Sequence, residues 1–226
     1  MENENIDIVP ENQIGMFKDI KNNIPVIGID PSLNSTGMFV IDRDKKGYGY
    51  TLGYEIKFST KEQKIKRWLN ITQKILEIME KHKVRHAIIE NAVFGMKLRV
   101  KEIAELKAVI ETQIYLKYGT VPIDIVTISF QKYILGETRV QQGYKKDKEK
   151  NKPKYSKEET REYLEKKEGF CFNNLDESDA AGMAKVLWDY KNMDRNSLSQ
   201  TKREVLKTID EKLEIKKGNK VKEKNT

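Results

Sequence analysis

Residues 26–37, Val26-Ile27-Gly28-Ile29-Asp30-Pro31-Ser32-Leu33-Asn34-Ser35-Thr36-Gly37, decide the fold. The apolar run Val26 to Ile29 has the length of a buried strand and stops at an acid. Pro31, Asn34 and Gly37 then punctuate a turn, and Met38-Phe39-Val40-Ile41 begins a second strand. A strand that ends on a lone carboxylate, followed at once by a return strand, invites a search for further acids at the ends of other elements.

Working outward, a third strand is expected over 50–58, so the chain opens its main body as a meander. Over 61–81, Ile65, Trp68, Leu69, Ile75, Leu76 and Met79 recur at helical spacing with charged residues between them, which predicts an amphipathic helix. Ala87-Ile88-Ile89 follows as a buried strand ending at Glu90, then a helix over 100–118 and a fifth strand over 123–128. Alternating strand and helix implies parallel pairing, hence an α/β domain. A last helix starts near Asp176 or Ser178 and carries Ala180, Ala181, Met183, Ala184, Leu187 and Trp188. The domain is expected over 25–192, preceded by an extension over 1–24 in which Ile14, Met16 and Phe17 are the residues able to dock on the body. Two charged segments depart from this plan. The loop 139–157 carries eight basic and two acidic side chains, and the segment 191–226 carries eleven and six around one expected helix over 199–215. The first reads as a loop ordered by a partner, and 193–226 as a basic tail.

Composition narrows the chemistry. The 226 residues suffice for one ordinary domain with extensions. A formal net charge of +8 and a sequence pI near 9.2 favour a polyanionic partner without choosing among them. The single Cys171 excludes an internal disulfide and a cysteine-rich zinc site. His82 and His86 are too few for a histidine-built metal centre, which leaves carboxylates as ligands. No apolar run is long enough to span a bilayer, and the acidic start Met1-Glu2-Asn3-Glu4-Asn5 is unlike a secretory signal. Abundant Lys, Asn and Ile fit an AT-rich coding sequence of low-GC bacteria or their phages. The cytoplasm of a bacterium or of a phage-infected host is therefore the expected location, with no membrane partner.

Four acids thus stand at element ends: Asp30, Glu90, Asp176 and Asp179. Strand C-termini of an open α/β sheet converge on the edge where ligands bind. Asp176 and Asp179 lie one helical turn apart and can face the same way. Clustered carboxylates repel one another and are costly to desolvate unless hard divalent cations neutralise them, and two such ions can drive phosphodiester hydrolysis. Each acid also has a plainer reading. Asp30 before Pro31 can make an Asx turn, Glu90 can be an exposed strand end, and Asp176 and Asp179 can cap a helix or complement its dipole. Joint placement in one topology favours the shared site.

The pattern resembles the RuvC-type Holliday-junction resolvases of the RNase H-like (retroviral-integrase-like) superfamily. The likeness runs from about residue 25 to 192. Its carriers are Gly28-Ile29-Asp30-Pro31-Ser32 with Thr36-Gly37, then Ile88-Ile89-Glu90, then Asp176-Glu177-Ser178-Asp179-Ala180 with Ala184. The resemblance implies an RNase H-like fold, a mixed five-stranded sheet flanked by helices. It implies that the four acids bind two Mg²⁺ or Mn²⁺ ions and catalyse cleavage to 5′-phosphate ends, and that a homodimer nicks a four-way DNA junction symmetrically in recombination, repair or phage DNA processing. By position, the helix over 100–118 is the dimer element, with Ile103, Leu106, Val109 and Ile110 as candidates or as ordinary core. Lys157 and Lys132 correspond to lysines that steady phosphate oxygens, although Gln131 aligns equally well with the second, and either lysine can simply be solvated. Phe94 corresponds to an aromatic that stacks on a base, one residue displaced from the usual spacing, with burial as its alternative. The charged extensions would broaden substrate choice and add salt-sensitive DNA affinity. Two other functions share this pattern: a less selective branched-DNA, flap or RNA–DNA hybrid nuclease, and a non-catalytic DNA-binding subunit.

Overall fold

The computed structural model describes residues 6–8, 12–16, 24–43, 48–57, 63–91, 99–141 and 155–223. Its centre is a mixed sheet of β3 (Val26–Asp30), β4 (Ser35–Arg43), β5 (Tyr48–Lys57), β6 (His86–Glu90) and β7 (Ile123–Ile125), ordered β5-β4-β3-β6-β7. The first three pair antiparallel as the expected meander, while β6 joins β3 and β7 joins β6 in parallel. Two short strands from the segment read as an extension, β1 (Ile6–Ile8) and β2 (Asn12–Met16), pair antiparallel with successive parts of β5. They supply backbone partners to what would otherwise be an open sheet edge.

Side chains alternate across the sheet, and that parity sorts the core into two layers. Ile27, Ile29, Met38, Val40, Leu52, Tyr54, Ala87 and Ile89 pack with α1 (Lys64–Lys81) and α2 (Arg99–Tyr118). Val26, Phe39, Ile41, Ile88, Ile123 and Ile125 face the opposite layer, built on α5 (Leu175–Asn192) with α3 (Thr127–Gln141), α4 (Lys157–Tyr163) and α6 (Gln200–Glu223). In α2, the dimer candidates Leu106 and Ile110 are wholly buried and so belong to the core, while Val109 is half-buried against the same cluster. Ile103 is half-buried.

Two expectations change. The fifth strand is three residues long rather than six, and Thr127 opens the helix α3, which the sequence reading did not foresee. Buried Phe130, Tyr133 and Ile134 sit at helical spacing, so the signal was present but hidden behind a short apolar run that suits either state. The segment read as a basic tail contains core: Leu198, Val205, Leu206 and Ile209 are buried in the α5 layer. Of the basic loop, residues 142–154 lie outside those described.

The central helix is fixed at both ends. Asn174 caps α5 by accepting a hydrogen bond from the Glu177 backbone N–H (2.9 Å), and the buried Glu177 carboxylate accepts from the Asn173 backbone (2.8 Å). At the other end Asn192 donates to the Ile24 carbonyl (2.9 Å) and accepts from the Ile24 N–H (2.8 Å). Between them the helix lies directly on the sheet. A Cβ at Gly28 would stand 1.9 Å from the Ala180 carbonyl oxygen and 2.8 Å from the Ala184 nitrogen, and one at Gly37 would stand 2.6 Å from the Asp176 carbonyl. Only residues without side chains allow this approach, and small Ala180 and Ala184 answer them from the helix.

Gly28→Ala should therefore lower stability by about 3 kcal/mol, at the upper end of the usual cost of overpacking. Thermal and urea unfolding of the variant checks this; an unchanged transition would contradict the contact.

Candidate active site

Strand parity carries the acids to one face. Val26, Gly28 and Asp30 share a side of β3, and Ile88 and Glu90 share the same side of β6, the side that α5 covers. Because Ile29 pairs with Ile89 in parallel register, Asp30 and Glu90 end neighbouring strands at the same level. The first turn of α5 rests over Gly37, next to Asp30 in the ladder, and so brings Asp176 and Asp179 to that level as well. Asp179 is fully buried and Asp30 nearly so.

The electrostatics confirm the crowding. Burial pushes the Asp30 carboxyl well above its ordinary range, and Glu90 and Asp179 push it further, with Lys157 acting in the opposite direction. Burial likewise raises Asp179, to about 6, against the pull of Lys157 and with added repulsion from Glu90 and Asp176. Lys157, the first residue of α4, forms an ion pair with Asp179. Burial alone would lower its ammonium pKa, yet Asp179, Asp30 and Glu90 together carry it above the ordinary lysine value. A capping box made by Ser156 and Glu159 fixes the start of α4 and thereby this lysine.

The other residues singled out from the sequence fall elsewhere. Lys132, on α3, pairs with Glu204 of α6 at 3.1 Å, and the neighbouring Gln131 is buried. Phe94 lies outside the described residues. Three site residues escaped the sequence reading. The Thr127 hydroxyl donates to Glu90, and the Ser35 hydroxyl reaches both Glu55 (2.5 Å) and Asp176 (3.4 Å). Glu55, opposite Gly37 in the ladder, is a buried fifth acid on the same face. Thr127 was masked by its reading as strand, and Ser35 and Glu55 become visible only once the register of β4 and β5 is known.

A hard cation suits this donor set. All four acids offer oxygen, the Asp179 oxygens are buried with the Lys157 ammonium against Oδ2, and the burial and added mutual repulsion that raise Asp30 and Asp179 are penalties a divalent ion offsets. Among the described residues no three acidic, histidine or cysteine side chains already stand in coordinating geometry.

No protein-family model matches the chain, and neither does any curated protein. Solved structures do match. A Thermus thermophilus RuvC structure aligns with a TM-score of 0.55 at 17% identity, covering 71% of this chain and 91% of that one. T. thermophilus RuvC in complex with Holliday junction substrate aligns with a TM-score of 0.54 at 15% identity, covering 71% and 90%. The fold is thus RNase H-like, with the mixed sheet order seen in RuvC.

The raised acids set a pH dependence. A carboxyl whose pKa is higher folded than unfolded binds its proton more tightly in the native state, so ionising it costs stability. For Asp179 that cost is absent well below 3.8, grows up to about 6 and is complete above it. Asp30 acts in the same sense. Without divalent cation, Asp30→Asn should melt several degrees above the unsubstituted protein at pH 8, and the gap should close toward pH 4. Calorimetry across this range checks the prediction, and a gap independent of pH would contradict it.

Proposed function

We propose that this chain is a Mg²⁺-dependent, structure-selective DNA endonuclease that resolves four-way junctions by paired symmetric nicks, working as a homodimer in the cytoplasm of a bacterium or phage-infected host. The observation that carries the reading is the meeting of Asp30, Glu90, Asp176 and Asp179 on the face covered by α5, two of them held at raised pKa beside a lysine. The net charge of +8 supports a polyanionic substrate, and the junction-bound RuvC, similar in fold, gives the specific branch structure to test.

The four carboxylates would hold the metal. Mg²⁺ at such a site supplies a Lewis acid, activating water and neutralising charge on the departing 3′ oxygen. The protein's own groups do the remaining work. Thr127 holds the Glu90 carboxylate in place by donating to one of its oxygens. Lys157, which pairs with Asp179 beside the acids, would hold a non-bridging phosphate oxygen. Lys132 and Phe94 are assigned to the phosphate backbone and to an unstacked base. An intact set of buried, mutually repelling acids favours catalysis over a purely DNA-binding role, since a binding subunit gains nothing from the stability they cost.

The test compares a labelled four-way junction, a fork, a plain duplex and an RNA–DNA hybrid, with and without Mg²⁺. Paired symmetric nicks confined to the junction are expected. Equal cutting of the fork would replace the resolvase with a general branch nuclease, hybrid-only cutting with an RNase H activity, and binding without cleavage with a non-catalytic subunit. Asp30→Asn should abolish cleavage while leaving junction affinity within about twofold, because phosphate contacts rather than this buried acid supply affinity. Equal cleavage rates would remove Asp30 from the site.

A further inference from the structure

At the end of the sheet remote from the acids, where β6 and β7 begin, a partly open cavity of about 210 Å³ lies between those strands, α5 and α6. Val121, Ile123, Leu187 and Leu213 make its walls largely apolar. Its ionisable lining groups are His86 and Lys191, and among the described residues no carboxylate lines it. None of the roles assigned above uses this space.

Both basic groups are half-buried. Burial lowers the Lys191 ammonium pKa, and burial together with the nearby Lys191 charge lowers that of the His86 imidazole. Lys191 Nζ stands 5.7 Å from the centre of the Tyr190 ring, a contact that leaves its charge intact. The Thr120 hydroxyl donates to the Arg85 carbonyl (2.7 Å), so its proton is not offered to the cavity. What faces the space is therefore an ammonium and an imidazole against apolar walls, a setting in which an anion is held more strongly than in water. The volume falls below the roughly 300 Å³ at which sites for drug-sized molecules begin, so the occupant is small. A tetrahedral oxyanion suits both limits, because its several oxygens can accept from the two groups at once.

We propose that this cavity binds a phosphate group, with Lys191 as the charged anchor and His86 as the second donor. The site is separate from the acids and does not depend on the nuclease reading. Two sources share this chemistry: free phosphate or a phosphomonoester, and a phosphodiester of bound DNA.

The experiment follows the methyl resonances of Val121, Leu187 and Leu213 in the full chain by NMR, at constant ionic strength. Inorganic phosphate, thymidine 5′-monophosphate and a short duplex DNA are titrated in turn into the wild type, Lys191→Met, Lys191→Arg and His86→Phe, and the same spectra report that each variant is folded. Inorganic phosphate or the monophosphate should shift the wild-type resonances saturably. Lys191→Met should weaken that binding about tenfold, the loss of one charged hydrogen bond. His86→Phe should weaken it less, because a neutral donor contributes less, and Lys191→Arg, which keeps the charge, should retain it. A saturable shift with the duplex alone, accompanied by a salt slope of duplex binding lower by about one in Lys191→Met, would assign the phosphate to DNA. No saturable shift with any of the three probes, or equal affinity in Lys191→Met and wild type, overturns the proposal and leaves the nuclease reading untouched.

Discussion

The contact between α5 and the sheet is the constraint on which the rest depends. Helix backbone rests on strand backbone at Gly28 and Gly37, at distances no side chain would permit. A helix packed at ordinary separation would leave Asp176 and Asp179 a side chain's width above Asp30 and Glu90, too far for carboxylates to share an ion. The two glycines thus do for the site what a hinge pin does for a door. Asn174 and Glu177 at one end and Asn192 at the other keep the helix from sliding along the groove they create. Burial of Met183, Ala184, Leu187 and Trp188 along the same helix makes the arrangement part of the core, so the site cannot loosen without disturbing it.

That rigidity has an electrostatic cost. Acids forced together in a dry setting hold their protons too tightly, as Asp30 and Asp179 do, and Lys157 offsets only part of the strain. Under the proposed function, a divalent cation would relieve that penalty. Lys157 would then have two partners by turns, a carboxylate without the ion and a phosphate with it.

Much of this was legible in the sequence because it rests on strong local signals. Strands ending at Asp30 and Glu90 follow from apolar runs bounded by turn residues, and the helices α1 and α2 from their periodicity, within three residues at either end. The parallel pairing of the later strands followed from alternating strands and helices. Other features depend on contacts between distant segments, which spacing does not encode. Thr127 reads as strand until the helix behind it is seen to bury Phe130 and Tyr133. The basic composition of 193–226 hides four buried apolar residues that pack at helical spacing or just before it. Lys132 and Lys157 look alike in sequence, and only the fold gives one to Glu204 and the other to Asp179. Glu55 is one more acid on an alternating strand until the register sets it beside Ser35.

The most direct measurement is anomalous X-ray scattering from crystals of the full chain soaked in Mn²⁺. The account predicts manganese between the ends of β3 and β6 and the first turn of α5, bound by Asp30 with Glu90, Asp176 or Asp179, and Lys157 detached from Asp179. Manganese bound only elsewhere, with the Lys157–Asp179 pair intact and the four carboxylates unchanged, would contradict it.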